Sequence, residues 1–339
     1  MNNKESAEST FRFRNGRGMS ADSEKAGDGS VKFMNKSDAI KNGRINDLLQ
    51  VFGIRRYTLC GGAEDGIKVI DCTNGKLRFL LNESKSLDIM QIYYEGVNTS
   101  FISKNGFTKR ETPFLNRFEG GALYTCGLDA VGGVEGKELH GSQHNIPANV
   151  LRAECAEDGI VVEAEMRYSA LFGQNLTLRR RIFSAYDSGK VELTDTLINE
   201  SGKDTEYCLL YHTNLGYPLL AEGGKIFAET AKVTPRNDIA EKKIAFWDTI
   251  EPPKEDEPEV CYYLEPADKT VYYFNPKSGR KFTLIYGDGL DKFILWKSNA
   301  SGDYALGLEP STTLLDGDFA YKRIAAHSEI VFGLTFKIE

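Results

Sequence analysis

Apolar and polar residues alternate with a period of two along residues 175–199, and this alternation constrains the fold more than any other feature of the sequence. Successive side chains of a β-strand point to opposite faces, so such a segment can bury one face and expose the other. Asp187-Ser188-Gly189 divides the segment and is typical of a tight turn. The pattern therefore predicts a β-hairpin. The apolar residues on one face are Leu176, Leu178 and Ile182 in the first strand and Val191, Leu193 and Leu197 in the second.

An arginine and an aspartate interrupt the apolar face of this hairpin. With a two-residue turn at Asp187 and Ser188, Arg180 would lie directly opposite Asp195 in the antiparallel register. A buried charge without a partner costs several kcal/mol, so we expect the two side chains to form an ion pair that fixes the register. This interpretation gives Arg180 a structural role and not a ligand-binding role.

Similar strand patterns recur along most of the remaining chain, and turns such as Ser201-Gly202 and Ser301-Gly302 separate many of them. The sequence shows no alternation of strand and helix patterns that would suggest a parallel sheet. Short strands at regular spacing predict an all-β sandwich or barrel. The predicted strands cover residues 160–167, 207–214, 270–274, 281–286, 293–297, 304–309 and 329–338.

Two segments lack a strand pattern. Residues 1–38 are rich in Ser, Asn, Gly, Lys and Glu without a sustained hydrophobic period, which is typical of a flexible tail. Residues 251–259 are acidic and proline-rich, so we expect an exposed loop. Because strand patterns resume after this loop, we predict one folded domain over residues 39–339, which is long enough to bury a sizeable core.

The net charge argues against nucleic-acid and membrane partners, and the cysteines indicate the redox state of the compartment. The formal net charge is −7 at pH 7, and a surface of that sign repels nucleic-acid phosphates and anionic lipids. No apolar run approaches the ~20 residues needed to span a bilayer, and the N-terminus lacks the apolar core of a signal peptide. The six cysteines are far apart and form no CxxC pair. We therefore expect a cytoplasmic protein with reduced, buried cysteines that binds neither nucleic acid nor membranes.

His212 lies near the end of the predicted strand 207–214, shortly before Gly216. Side chains at strand ends commonly build binding or catalytic sites, and an imidazole suits acid–base chemistry near neutral pH. A core imidazole that hydrogen-bonds its neighbours fits the same pattern, so both interpretations stay open. The residues that share a face of this strand are Cys208, Leu210, His212 and Asn214.

Two further histidines, His140 and His144, lie in a segment in which Gly141 and Pro147 disfavour a regular helix. A metal site built from the two histidines is one interpretation, although no Glu follows His140 as it does in the HExxH zinc signature. A loop that presents His140 to a ligand is the simpler interpretation.

Glu309 closes the predicted strand 304–309, and the residues beside it are unusually small. Ala305, Gly307 and Glu309 share one face of this strand, whereas a surface strand rarely carries Ala and Gly there. The small residues would clear space beside a carboxyl group. A solvent-facing glutamate at a strand end is the alternative. We expect His140, His212 and Glu309 to converge on one concave pocket.

Several of these segments, in this order, resemble one branch of the galactose mutarotase-like (aldose 1-epimerase) superfamily, a branch often labelled a domain of unknown function. The resemblance runs from about residue 44 to the C-terminus, and its elements are specific in combination. In this branch an Arg-Gly pair commonly precedes the acid of an early strand, where this chain has Ser84-Lys85-Ser86-Leu87-Asp88. The segments that carry the resemblance are 118–129, 139–141, 146–148, 176–180, 211–220, 296–297 and 308–310.

The resemblance implies a galactose mutarotase-like β-supersandwich whose concave face binds a small-molecule sugar. It implies that Glu309 is the base that removes the anomeric proton, and that His212 and His140 supply the acid that protonates the ring oxygen. The ring would open and then close to give the other anomer. No metal or organic cofactor is implied. The sugar-binding residues in this interpretation are Asn214, Lys85, Asp88, Asp129, His144, Trp296 and Lys297.

The sequence thus favours an aldose 1-epimerase-like isomerase of carbohydrate metabolism. Two alternatives stay open, because one fold can carry many functions. The first is a non-catalytic carbohydrate-binding protein with the same groove. The second is a metal-assisted sugar isomerase or lyase that uses His140, His144 and a carboxylate.

Overall fold

The computed structural model describes residues 35–41, 43–317 and 319–339, and within them most of the regular secondary structure is β-strand. The two short α-helices are α1 (Lys36–Lys41) and α2 (Asp238–Lys242), and short 3-10 helices lie in the connections. The strands are β1 (Gly53–Thr58), β2 (Lys68–Thr73), β3 (Leu77–Asn82), β4 (Asp88–Tyr94), β5 (Val97–Asn98), β6 (Tyr124–Leu128), β7 (Asn149–Cys155), β8 (Gly159–Ser169), β9 (Asn175–Ala185), β10 (Lys190–Asn199), β11 (Thr205–Gly216), β12 (Lys225–Pro235), β13 (Val260–Phe274), β14 (Lys281–Tyr286), β15 (Lys292–Ala300), β16 (Asp303–Ser311), β17 (Lys322–Ile324) and β18 (Glu329–Ile338).

The predicted all-β class is confirmed, and each predicted strand lies on an observed one. Three predicted strands, 190–199, 281–286 and 329–338, match β10, β14 and β18 at both ends. The strands β1–β7, β12 and β17 were not predicted individually. Among the predicted strands the largest difference is in β13, which is 15 residues long where only residues 270–274 were predicted. Glu265-Pro266 and the charged residues after it hide the strand pattern, and the pairing with β12 is irregular there.

The two segments without a strand pattern have different outcomes. Residues 251–259 form the expected irregular and mostly exposed loop. The tail predicted over residues 1–38 lies outside the described residues as far as residue 34. Lys36, within the predicted tail, begins α1 and donates its backbone N–H to the carbonyl of Glu157 at 2.9 Å.

The strands of the described residues form two sheets in which all strand pairs are antiparallel. The smaller sheet has the order β1-β2-β3-β4-β5. The larger sheet has 13 strands in the order β17-β11-β16-β15-β13-β14-β18-β10-β9-β8-β7, with β12 paired to β13 and β6 paired to β11. One face of the larger sheet packs on the smaller sheet, so the architecture is a sandwich.

The main core lies between the two sheets. It contains Phe79 and Ile89 from the smaller sheet and Leu178, Leu193 and Leu197 from the larger, each at most 1% exposed. Fully burying an apolar side chain of this size contributes roughly 1.5–3 kcal/mol. A smaller cluster covers the opposite face of β11 and β15, and that face carries the candidate site. The buried residues of this cluster include Cys126, Cys208, Leu210 and Ile294.

The six cysteines are free, and four of them are buried as predicted. Cys155 is half-buried and Cys60 is exposed, so the prediction of burial was wrong for Cys60. Cys60 follows directly after β1, which is an edge strand of the smaller sheet.

The predicted hairpin register is confirmed, and Arg180 lies opposite Asp195. The guanidinium donates from Nε and Nη2 to the two carboxylate oxygens of Asp195 at 2.9 and 2.7 Å. Both side chains are completely buried. Arg180 also donates to Asp88 at 2.5 Å and to the hydroxyl of Thr125 at 2.9 Å. Since Asp88 begins β4, the arginine joins the two sheets as well as the two strands of the hairpin.

We predict that Asp195→Ala lowers the free energy of unfolding by about 3–5 kcal/mol, because it leaves the buried Arg180 without its main partner. Urea denaturation followed by circular dichroism measures this change. The matched control is Glu165→Ala, which removes an ion pair between β8 and Arg179 of the hairpin on the solvent side of the sheet. Exposed pairs contribute at most about 1 kcal/mol. Equal effects of the two substitutions would contradict the structural role of Arg180.

Candidate functional site

The floor of the candidate site is formed by three neighbouring strands of the larger sheet. Thr213 on β11 pairs with Leu308 on β16, which places His212 beside Glu309. On β15, Trp296 pairs with Gly307, so the indole lies next to the same pair. Because side chains alternate along a strand, the residues adjacent to these point into the main core. The structure thus confirms that His212 on β11 and Glu309 on β16 point to the face of the sheet away from the main core.

Side chains from several loops cover this floor and enclose a cavity of about 330 Å³. Its volume lies within the range of about 300–1,000 Å³ that is typical of small-molecule sites. The cavity contains His140, His212 and Glu309, so the expected convergence of these residues is observed. The other lining residues are Phe114, Leu115, Phe118, Gly132, Gly133, Leu139, Arg236, Glu259, Cys261, Trp296 and Leu315.

Glu309 and His212 form a buried pair at the centre of the cavity. The Oε1 atom of Glu309 lies 3.2 Å from Nε2 of His212, and the two residues are 1% and 5% exposed. A Cβ atom at Gly307 would lie 2.5 Å from this Oε1. Glycine at this position therefore gives the carboxyl group its space, as the small residues beside it predicted.

The electrostatics of this pair are dominated by burial. Burial raises the pKa of Glu309 well above its usual value, and the nearby carboxylate of Glu259 raises it further. Burial also lowers the pKa of His212 to about 3, with a contribution from His140, while Asn214 opposes the shift. The two groups are close enough for an ion pair, but both shifts favour the neutral forms. We therefore describe the pair as a neutral carboxyl group beside a neutral imidazole.

His140 is held by the backbone of a tight loop. Its N–H donates to the carbonyl of Gly132, and its carbonyl accepts from the N–H of Gly127. Gly141 has φ 77°, and a Cβ there would lie 2.5 Å from the carbonyl oxygen of Gly127, so only glycine fits. The glycine that follows His140 is therefore required by the loop geometry.

The ring of His140 is oriented by a backbone hydrogen bond. The N–H of Gly132 donates to Nδ1 at 3.3 Å, so the neutral ring carries its proton on Nε2. Burial, and then the charge of Arg236, lower the pKa of His140 to about 4. The ring centroid lies 5.9 Å from that of His212. His140 thus adds a second neutral imidazole, which is able to donate from Nε2.

Aromatic rings form one wall of the cavity. The indole of Trp296 lies 5.4 Å from the ring of His212 and 6.4 Å from the ring of Phe118. Its N–H donates to Glu259 at 2.7 Å, which fixes the orientation of the indole. An apolar aromatic surface beside a few polar groups is the usual composition of a small-molecule site.

Three predicted sugar-binding residues, Lys85, Asp88 and His144, do not line the cavity but belong to a buried ionic network behind it. Nδ1 of His144 lies 2.6 Å from Asp88, and its Nε2 lies 3.3 Å from Glu119. Lys85 donates to Glu119 at 2.7 Å. Each of these charged groups is already matched by a buried partner, which is the physical reason that it faces inward. The expectation that they contact a sugar is therefore corrected to a structural role.

The carboxylates of this network are held in their charged forms. Burial alone would raise the pKa of Asp88, but the hydrogen bond with His144 and the charge of Arg180 outweigh burial and lower it. Burial likewise opposes ionisation of Glu119, and His144 and Lys85 together lower its pKa. Asp88 and Glu119 thus differ from Glu309, because no cation near Glu309 is strong enough to offset the rise in pKa that burial causes.

Lys297 and Asp129 also lie away from the cavity. Lys297 occupies the opposite face of β15 from Trp296, where its ammonium donates to the carbonyls of Phe246 and Thr249 at 2.6 and 2.9 Å. Asp129 accepts from the N–H and hydroxyl of Ser142, and so anchors the loop that carries His140. Both predictions of sugar contact are corrected for these geometric reasons.

Asn214 is fully buried on the same strand as His212. Its Nδ2 donates to the backbone carbonyl of His212 at 3.0 Å, and its Oδ1 has no hydrogen-bond partner. Asn214 therefore holds the backbone at His212, and it stays a predicted sugar-binding residue.

Several residues of the site were missed by the sequence analysis. Arg236, directly after β12, lies in the cavity and donates to Asp316 at 2.6 Å. Glu259 ends a loop that was predicted only to be exposed, yet it accepts from the indole of Trp296. Glu119 lies within the segment 118–129 that carried the family resemblance, which was the one signal that could have identified it.

The geometry does not support a metal site built from His140 and His144. Both ring nitrogens of His144 lie against carboxylates of the buried network, whereas His140 faces the cavity. Among the described residues, no group of three or more His, Cys, Asp or Glu side chains is arranged to hold a metal ion. None of the helices that the structure describes is long and apolar enough to cross a membrane.

The family model described as "Domain of unknown function (DUF4432)" matches residues 64–328. No curated protein matches the chain significantly. Among solved structures, one described as a "putative aldose 1-epimerase" from Klebsiella pneumoniae has a TM-score of 0.76 and 20% identity, and covers 90% of this chain and 86% of its own.

Two galactose mutarotase-like proteins have the same architecture. The one from Clostridium acetobutylicum has a TM-score of 0.63 at 12% identity and covers 86% of this chain and 99% of its own. The one from Lactobacillus casei has a TM-score of 0.58 at 13% identity and covers 80% of this chain and all of its own. At these identities the likeness establishes the galactose mutarotase-like β-sandwich fold, which confirms the predicted fold and family resemblance.

We predict that His140 and His212 stay neutral down to about pH 5, since their pKa values are lowered to about 4 and about 3. The pKa of a histidine in the unfolded chain is about 6.5. Because the folded pKa is lower, each histidine leaves the stability of the fold intact above about pH 6.5 and reduces it as the pH falls from there toward the folded pKa. Proton NMR of the imidazole Cε1–H signals between pH 8 and 5 tests this, with His140→Asn and His212→Asn assigning the signals. A titration midpoint near 6.5 for either ring would contradict the burial argument.

Proposed function

The chain belongs to the family of the domain of unknown function DUF4432, and we propose that it is an isomerase that interconverts the anomers of a sugar in the cavity that holds Glu309 and His212. The observation that carries this proposal is the buried carboxyl–imidazole pair, 3.2 Å apart, at the floor of that cavity. Anomer exchange needs one group that takes a proton from the C1 hydroxyl and one that gives a proton to the ring oxygen. The similarity to mutarotase-like folds supports the same function.

The pair can supply both groups from one mobile proton. Transfer of the proton from Glu309 to His212 over 3.2 Å would produce a carboxylate base and an imidazolium acid. The carboxylate would then take the proton of the C1 hydroxyl while the imidazolium protonates the ring oxygen. The bond between C1 and the ring oxygen breaks, and C1 becomes an aldehyde. This step returns the pair to its neutral forms, so no proton from solvent is needed.

The second anomer forms by the reverse transfers. Rotation about the C1–C2 bond presents the other face of the aldehyde to the ring hydroxyl. Glu309 gives its proton back to the aldehyde oxygen, and the hydroxyl returns its proton to the imidazole as the ring closes. In this scheme Glu309 and His212 are both neutral, as burial favours, while the sugar is in its open-chain form. The cavity would therefore stabilise the reactive stage of the exchange.

His140 and Trp296 complete the proposed site. The Nε2–H of His140 would donate to a sugar oxygen, since the backbone of Gly132 occupies Nδ1. The indole of Trp296 would pack against the apolar face of the sugar ring, with its N–H held by Glu259. Asn214 would orient His212 and use its free Oδ1 for a water or a hydroxyl.

A non-catalytic sugar-binding protein is the second candidate, and one observation favours it. A neutral imidazole is a weak acid, and the pKa values of both histidines in the cavity are well below 6.5. A site that only binds sugars needs no imidazolium. The two candidates differ in whether Glu309 is required for turnover.

We predict that Glu309→Gln lowers the rate of mutarotation by at least about 100-fold, the lower limit for loss of a general acid or base. Folding should be unaffected or improved. The pKa of Glu309 is raised in the folded protein, so this glutamate lowers the stability of the fold as the pH rises through its folded pKa. Glutamine does not ionise and avoids this loss. Polarimetry or NMR anomer exchange over a panel of aldoses measures turnover, and urea denaturation at pH 8 measures stability.

The matched control is Glu259→Gln, the same chemical change on the rim of the same cavity. It should alter KM and change kcat by less than about 10-fold, because Glu259 orients Trp296 and takes no proton in the scheme. Normal turnover by the Glu309→Gln protein would show that the base has been wrongly assigned. Sugar binding without turnover by the natural chain would favour the second candidate.

A further inference from the structure

A second cavity of about 420 Å³ adjoins the one that holds Glu309. The two cavities share four lining residues, Leu115, Phe118, Glu259 and Trp296, so they lie side by side, and together they are called the groove. Each cavity alone lies within the range of volumes typical of small-molecule sites, about 300–1,000 Å³. The groove thus offers more room than the anomeric chemistry of one sugar ring requires.

The second cavity has the surface chemistry of a sugar subsite. Trp296 forms the wall common to both cavities, and Phe101 packs edge-on to its indole at 6.5 Å. Ser103, Ser298 and Asn105 also line this cavity. The hydroxyl of Ser103 donates to the carbonyl of Phe118, and the amide of Asn105 donates to the carbonyls of Leu115 and Phe118, which leaves the amide oxygen of Asn105 as an acceptor. Aromatic surfaces beside hydroxyl and amide groups suit a ring that has an apolar face and hydroxyl groups at its edge.

The charges of the groove disfavour an anionic ligand. Three acids, Glu257, Glu259 and Asp303, line the second cavity. The bases of the groove are already paired, since Lys104 contacts Asp303 at 2.7 Å and Arg236 contacts Asp316 at 2.6 Å. Asp303 and Glu257 are themselves paired with Lys104 and Lys243, so Glu259 is the one of these three acids without a basic partner in the described part of the chain. A phosphate placed here would face that carboxylate without a free cation among these residues, and like charges repel it.

We infer that the substrate is an unphosphorylated reducing disaccharide, with its reducing residue beside Glu309 and its second residue in the cavity lined by Phe101, Ser298 and Ala300. The location of the reducing residue rests on the proposed function. The location of the second residue rests on the lining residues that the two cavities share, on the aromatic wall and on the charge of the groove.

The first test compares sugars on the natural protein. NMR exchange spectroscopy gives kcat/KM for anomer exchange of maltose, cellobiose and lactose, and of glucose, galactose and glucose 6-phosphate. At least one disaccharide should exceed its own monosaccharides by about 10-fold or more, and glucose 6-phosphate should be the poorest substrate. Monosaccharides that react as fast as every disaccharide, or a preference for the phosphorylated sugar, would overturn the inference.

The second test fills the second cavity. Trp296, Ser298 and Ala300 alternate along β15 and all line it. The substitution Ala300→Trp adds a large side chain, and it should lower the ratio of disaccharide to monosaccharide kcat/KM by about 10-fold. The matched control Ala300→Ser adds only a hydroxyl and should preserve the ratio. An unchanged ratio in Ala300→Trp would overturn the inference.

Calorimetry separates failure of this inference from failure of the proposed function. Absence of anomer exchange for every sugar would refute the isomerase and leave the groove to be tested by binding. Disaccharide binding at least about 10-fold tighter than monosaccharide binding, lost in Ala300→Trp and kept in Ala300→Ser, would support the second subsite in that case. Equal affinities for mono- and disaccharides would overturn it.

Discussion

The buried guanidinium of Arg180 joins the two sheets, and the architecture of the sandwich depends on this contact. It contacts Asp195 within the larger sheet, and it contacts Asp88 at the start of β4 in the smaller sheet. Asp195 also accepts from the hydroxyl of Tyr211 on β11 at 2.8 Å. Burial of one arginine between two aspartates is tolerable because each charge has a hydrogen-bonded partner. The same contacts fix the register of the hairpin and the docking of one sheet on the other.

The candidate site is supported by the continuation of this network. Asp88 contacts His144, which lies between Asp88 and Glu119, and Lys85 closes the network on Glu119. The ring of His144 stacks on Tyr124 at 3.6 Å, and Tyr124 contacts Phe118 in the cavity wall. The charged residues that were expected to hold a sugar therefore hold the segment that covers the cavity. The carboxyl group of Glu309 lies in the cavity and makes no contact with the cations of this network.

The sequence predicted those features of the fold and site that depend on local pattern. Alternation along β9 and β10 was sufficient to predict the Arg180–Asp195 pair. Positions at strand ends or in a loop, with small neighbours, predicted that His140, His212 and Glu309 converge. The roles of Lys85, Asp88 and His144 could not be predicted, because their partners come from segments distant in the chain. Lys297 was assigned with its neighbour Trp296, although adjacent residues of a strand face opposite sides. Arg236 has no local pattern that distinguishes it from an exposed loop residue.

The central claim is that Glu309 faces the anomeric carbon of a sugar in this cavity, and a crystal structure of the Glu309→Gln protein with glucose or galactose tests it most directly. The account predicts a sugar ring between Trp296 and His140. The C1 hydroxyl should lie about 2.6–3.2 Å from the side chain at position 309, with the ring oxygen equally close to an imidazole nitrogen. A sugar whose C1 points away from position 309, or that binds only outside this cavity, would contradict the account.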